Sequence, residues 1–194
     1  MFSLFLEVLP VTLLTGLIYT LYKLNKYKKK QEKIPVKKEI IRILFAVYLA
    51  GLISLTLTPN NFWTYFWFHI KNGYVGEKLD PLFSGGYNFT PSFIRYITGE
   101  LTFGYWVQTM LTFNFLMFVP YGFFVYLISG RLHFKNVVLI SVLIPLFIEI
   151  FQPIIGRSFD IDDFILNLAG ILIGYYFTFL SHKIILNIKT NRKT

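Results

Sequence analysis

An all-α bundle of about five transmembrane helices is the fold this sequence predicts, and three observations predict it. Hydrophobic residues make up 55% of the 194-residue chain and aromatic residues 20%. Mean hydropathy is +0.56, above the range of a soluble domain. Apolar runs of about 20 residues recur, each long enough to cross a hydrocarbon core of roughly 30 Å. Between and after those runs the lysines and arginines gather in three short stretches, the charge pattern of a polytopic membrane protein.

The elements follow in order. The first span, Phe2–Tyr22, is apolar apart from Glu7. No positive segment precedes it, no small-residue cleavage site follows it, and its basic cluster comes after it, so it reads as an anchor and not a signal peptide. The second span, Ile40–Thr58, ends at Pro59. An outer loop over about 59–104 starts with NFWTYFWFHI, which suits an interfacial helix in the headgroup layer or a plain hydrophobic plug. Gly73, Gly76, Pro81, Gly85 and Gly86 then supply turns. NFTPSFIRYI, with Pro91 at a helix start, returns to an amphipathic pattern, and Asn88-Phe89-Thr90 is formally a glycosylation sequon. Three further spans, Tyr105–Ser129, Asn136–Gln152 and Ile161–Ser181, complete a single domain over 1–194 without internal repeats.

Charge sets the expected orientation. Nine bases from Lys23 to Arg42, Arg131 and Lys135 in the turn after the third span, and Lys183, Lys189, Arg192 and Lys193 in the tail include all but four of the 19 lysines and arginines. Placing these stretches in the cytoplasm puts the N-terminus outside, the C-terminus inside, and most acids at the outer face of a bacterial plasma membrane. The net charge of +9 is accounted for by this topology and by attraction to anionic lipid, about 1 kcal/mol per base near the surface; the bilayer is the expected partner and nucleic acid is not. With no cysteine, disulfide and thiolate chemistry are excluded.

Function is sought in Glu149–Gly174, EIFQPIIGRSFDIDDFILNLAGILIG, where polar groups crowd between two membrane-length segments. Charged groups at a helix centre in a bilayer cost roughly 2.5–3.5 kcal/mol each on insertion scales, so they must face one another, water or a ligand. Glu149 and Gln152, three apart, share a helical face, and Pro153 and Gly156 break that helix. Arg157, Asp160, Asp162 and Asp163 occupy the connection and the first turn of the last span, where Asp160 or Asp162 can cap the helix. Asp163, Asn167, Gly170 and Gly174 form one stripe, and Gly170-x-x-x-Gly174 invites the close approach of another helix. In the third span, Asn114 is a mid-membrane amide followed by Pro120 and Gly122; Asn114 and Asn167 are expected to hydrogen-bond, directly or through water. Three uses of the cluster stay open: a packing network with Arg157 bridging carboxylates, a ligand or headgroup site, and acid–base catalysis. His69, His133 and His182 are scattered, and there is no metalloprotease, serine-hydrolase or P-loop motif. No cofactor is implied and no metal is assigned, although Glu149, Asp160 and Asp163 are oxygen ligands of the type a hard cation takes.

At these residues the chain resembles the VanZ-like family of bacterial membrane proteins, named for an accessory teicoplanin-resistance protein. Glu149 and Gln152 fit the family's E-x-x-Q. Arg157, Asp160, Asp163, Asn167, Gly170 and Gly174 fit its R-x-x-D-x-x-D-x-x-x-N-x-x-G-x-x-x-G run, and Asn114, Phe118, Pro120 and Gly122 fit its N-x-x-x-F-x-P-x-G element. Pro91 stands where the family has a short Asn/Pro/Phe element. The resemblance covers about 88–176 and implies membership, not a mechanism. The founding member protects cells from a lipid-tailed glycopeptide without remodelling the peptidoglycan precursor. The expectation is therefore an interaction protein whose outer-leaflet cluster binds a lipid-linked cell-wall intermediate or a lipoglycopeptide. An intramembrane enzyme acting on a lipid or cell-wall intermediate is the first alternative and a small transporter the second.

Overall fold

A computed structural model of the chain describes residues 2–60, 62–73, 81–102 and 104–191. It is helical almost throughout: α1 (Phe2–Lys30), α2 (Val36–Thr56), α3 (Phe62–Asn72), α4 (Ser92–Ile97), α5 (Tyr105–Ser129), α6 (Phe134–Phe151) and α7 (Ile161–Asn191). Five stretches, Val8–Lys30, Val36–Thr56, Val107–Ser129, Phe134–Ile155 and Ile161–Asn191, are long and apolar enough to cross a membrane, as the sequence predicts. The first and last helices run further than the apolar spans, to Lys30 and Asn191, because Lys, Leu, Asn and Ile continue a helix adequately once it has left the apolar zone. The turn expected at Gly76, the charges Glu77, Lys78 and Asp80, and the bases Arg192 and Lys193 lie outside the described residues.

The chain forms two compact units, Met1–Gly86 with Ile150–Ser158, and Tyr87–Glu149 with Phe159–Thr194. In the first unit α1 and α2 pair antiparallel. Gly16 lies against Val47 and Gly51 against Thr12, so the hairpin closes through small residues. Its polar end is pinned by Glu39. This carboxylate is only 4% exposed and accepts hydrogen bonds from the Tyr27 hydroxyl at 2.8 Å and Arg42 Nη1 at 2.5 Å, with Lys23 Nζ at 3.6 Å. α3 is the helix expected from NFWTYFWFHI, and Trp63 Nε1 donates to the Ser54 carbonyl at 3.0 Å.

The second unit is built on α5 and α7, which run parallel. Their backbones meet at three glycines. A Cβ on Gly122 would stand 2.6 Å from Tyr175 N, one on Gly174 2.9 Å from the Val119 carbonyl carbon, and one on Gly170 3.1 Å from Phe118 Cβ. Nothing larger than glycine fits at such approaches. Pro120 sits half-buried in α5 between Phe118, which is fully buried, and Gly122. α6 runs the other way, its start (Val137) packed with Tyr126 and Tyr175 and its end (Glu149) bonded to Asp160 at the start of α7. Parallel first and third helices with an antiparallel second are what three successive membrane crossings require.

Gly174→Val is expected to unfold the unit or lower its melting temperature by 10 °C or more, since the new side chain meets the α5 backbone at Val119 and Phe123 and overpacking costs about 1–3 kcal/mol even in adaptable cores. Gly104→Ala, where nothing lies within 4 Å, should melt like the parent. Thermal unfolding in detergent by tryptophan fluorescence compares the two; equal melting would contradict the close approach.

Candidate functional site

The candidate site lies at the end of the second unit where α5 begins, α6 ends and α7 begins. Asp160 is the residue just before α7, and its Oδ1 accepts the backbone N–H of Asp162 at 2.9 Å, the bond an N-cap makes. The sequence left Asp160 and Asp162 as rival caps, and the geometry assigns the role to Asp160. Its other oxygen, Oδ2, accepts from Asn88 Nδ2 at 3.0 Å, and its backbone N–H donates to Glu149 Oε2 at 3.0 Å. Asp162 instead reaches α4, where its Oδ2 accepts the Ser92 backbone N–H at 2.8 Å. One dipeptide strand, Tyr87–Asn88, pairs in parallel with Phe159–Asp160, which carries Asn88 to Asp160 across 72 positions of sequence. The candidate sequon asparagine is thus tied by its side-chain amide into the cap.

One turn further along α7, Asp163 accepts a hydrogen bond from Asn114 Nδ2 on α5. The expected Asn114–Asn167 pair does not form as a direct hydrogen bond. The register set by the glycine contacts brings Asn114 level with the first turn of α7 and leaves Asn167 one turn deeper. Asn167 is 3% exposed, and its Oδ1 is buried without a hydrogen-bond partner among the described residues. An unsatisfied buried acceptor costs about 1–3 kcal/mol. Glu149, fully buried at the end of α6, completes the set. No group of three His, Cys, Asp or Glu that could hold a metal ion occurs among the described residues, so the carboxylates Glu149, Asp160 and Asp163 do not converge as a hard-cation site.

Gln152 and Arg157 belong to the first unit. The sequence places Gln152 on one helical face with Glu149, but α6 ends at Phe151 and Gln152–Ile155 form a 3-10 turn. Pro153 is the cause, since it lacks an N–H and disfavours helical geometry in the residue before it. Gln152 Nε2 donates to the Thr56 carbonyl at 3.4 Å and Arg157 Nη1 to the Leu55 carbonyl at 2.7 Å. Carbonyls at a helix C-terminus are short of intrahelical donors, and these two side chains supply them to α2. Gly85 is wedged beneath the same segment, where a Cβ would lie 2.6 Å from Pro153 Cα. Asn88 is marked in the sequence only as a sequon, and Ser92 here and Glu39 in the α1–α2 hairpin are not singled out at all. The NFTP segment was the available signal for the first two, whereas nothing in the basic stretch around Glu39 marks one of its acids as buried.

One family model, described as VanZ/LLP1, matches the chain over residues 45–182, a range that contains these motifs. The chain belongs to the VanZ/LLP1 family. That match takes in α5, α6 and most of α7 together with most of α2, so it extends well upstream of 88–176, where the motif residues lie. A search of curated proteins and a search of solved structures each returned no match. Within the VanZ/LLP1 region, Gly122, Gly170 and Gly174 make the α5–α7 contact, and Asn114, Glu149, Asp160, Asp163 and Asn167 line one end of it.

Removing either side of the Asn88–Asp160 bond should destabilise the unit, with the Asp160→Ala change costing about 0.5–2 kcal/mol through the lost cap. Because the two side chains share a bond, the double variant Asn88→Ala/Asp160→Ala should fall short of additivity by about 0.5 kcal/mol or more. A double-mutant cycle of unfolding free energies measures this; strict additivity would mean that the pair is not coupled.

Proposed function

We propose that this protein acts in the bacterial cell envelope, in the plasma membrane with its N-terminus outside and its C-terminus cytoplasmic, by binding the polar part of a lipid-linked cell-wall intermediate or of a lipidated glycopeptide at its outer-leaflet polar cluster. The observation that carries this reading is Asn167. A chain bears the cost of a buried, unbonded carbonyl oxygen at membrane depth where a ligand or water supplies the missing donor, and intramembrane polar groups are functional by default. Asp163, on the same stripe of α7, and its α5 partner Asn114 stand one turn nearer the membrane surface, so a ligand reaching Asn167 would pass them.

Two further features support the reading. Tyr87 and Phe89 are each 67% exposed and Phe93 65%, and Tyr87 and Phe89 stack at 6.2 Å; such a patch beside a polar cluster suits a molecule that is polar at one end and apolar at the other. The charges of the second unit are also segregated. Arg131 between α5 and α6 and Lys135 in the first turn of α6 share one end with Lys183 and Lys189 of α7, while Asp160, Asp162 and Asp163 occupy the other, where Arg95 of α4 is the exception, as expected if the basic end is cytoplasmic.

The reading predicts that the wild-type chain, expressed in a sensitive host, raises the inhibitory concentration of teicoplanin severalfold and leaves that of vancomycin, which lacks the lipid tail, unchanged. Asp163→Ala and Asn167→Leu at matched membrane levels should each abolish the protection. Protection that survives both substitutions would remove the cluster from function, and the absence of protection by wild type would move the ligand from the drug to a cell-wall intermediate.

A further inference from the structure

The second unit has a groove of about 800 Å³ at the end away from the carboxylates, between the last turns of α5 and the later part of α7. His182 lies 19 residues beyond Asp163 on α7, roughly 28 Å along the axis at 1.5 Å per residue. That is close to the thickness of a hydrocarbon core, so the groove opens at the opposite membrane surface from the candidate site. Phe123, Leu127 and Leu186 give it apolar walls, and Arg131, His182 and Lys183 form a basic rim. Among the described residues no acidic side chain lines it, and neither Arg131 nor Lys183 is paired with a carboxylate.

This rim is built into the fold. Gly130 ends α5 with φ at +70°, a conformation that other residues adopt rarely. The Tyr175 hydroxyl accepts the Leu132 N–H at 2.6 Å and donates to the Gly130 carbonyl at 3.4 Å, so the turn that carries Arg131 is fastened to α7. The Arg131 guanidinium lies over the Phe179 ring, 5.2 Å from its centroid, and His182 Nδ1 stands 2.8 Å from the Tyr126 hydroxyl. Two of the three rim groups are therefore held by aromatic side chains of the groove itself.

We propose that this groove binds an anionic phospholipid, with the headgroup phosphate between Arg131 and Lys183 and an acyl chain along Phe123 and Leu127. Uncompensated positive charge over an apolar wall is the chemistry that selects an amphiphile with an anionic head. A zwitterionic lipid offers the same phosphate, but it brings its own cation into a rim that already holds Arg131 and Lys183. This site is separate from the proposed outer site, and neither depends on the other.

The full-length protein, reconstituted in vesicles of phosphatidylcholine with a minority of phosphatidylglycerol and then extracted in mild detergent, tests this by mass spectrometry of the retained lipid. Wild type should retain phosphatidylglycerol in excess of its share of the vesicle. Arg131→Gln/Lys183→Gln should lower that enrichment on the order of tenfold, whereas Lys28→Gln/Lys37→Gln, which removes as much charge from the α1–α2 hairpin, should not. Both rim residues are exposed, so the variant should elute as wild type does, and Lys183→Gln alone gives a milder version of the same comparison. No enrichment in wild type, an equal loss in both double variants, or release of the lipid by millimolar inorganic phosphate would each overturn the proposal. The second outcome would mean diffuse surface attraction, and the third a phosphate site without lipid selectivity.

Discussion

The approach of α5 to α7 at Gly122, Gly170 and Gly174 is the contact on which the rest of the second unit depends. Lipid tails are as apolar as leucine, so two membrane helices gain little from the hydrophobic effect and associate through close packing and hydrogen bonds. Three glycines let the backbones touch, and such a contact has one register. That register brings Asn114 level with Asp163 and Tyr126 level with His182. It also leaves Asn167 a turn deeper, beside no donor. A shift of one residue along either helix would put side chains where glycines must be.

Around this contact Asp160 is the hub of the polar groups at the α7 N-terminus. It caps α7, receives Asn88 and gives its own N–H to Glu149. These bonds join the end of α6, the strand that precedes α4 and the start of α7. Backbone groups in an irregular stretch between two helices lack intrahelical partners, and here carboxylates and amides supply part of what they need. Asn167 Oδ1 is buried without a hydrogen-bond partner among the described residues, and a buried acceptor of that kind is where a ligand is sought.

The spans were legible because a bilayer imposes length and hydropathy directly on the chain, and the start of α7 was legible because an acidic cap before an apolar run has local chemistry. Gly170 and Gly174 were legible as a contact face for the same reason. Their partner Gly122 was singled out only as part of a motif, since facing positions on two helices depend on register. The pairing of Asn114 with Asp163 instead of Asn167 has that same origin. The break after Phe151 was visible in Pro153, yet its consequence, Gln152 turning to the Thr56 carbonyl, needed the path of the chain. Nor could spacing show that Arg157 serves the end of α2 or that Asn88 reaches Asp160, because both bonds join residues more than 70 positions apart.

The α5–α7 register is tested most directly by cysteine pairing, which the absence of native cysteines leaves without background. Asn114→Cys/Asp163→Cys in intact membranes should cross-link within one chain under mild oxidation or with a short thiol-reactive linker, while Ser129→Cys/Asp163→Cys, at opposite ends of the pair, should not. Cross-linking of the second pair, or failure of the first in protein that still elutes as a folded species, would contradict the parallel register from which the candidate site is built.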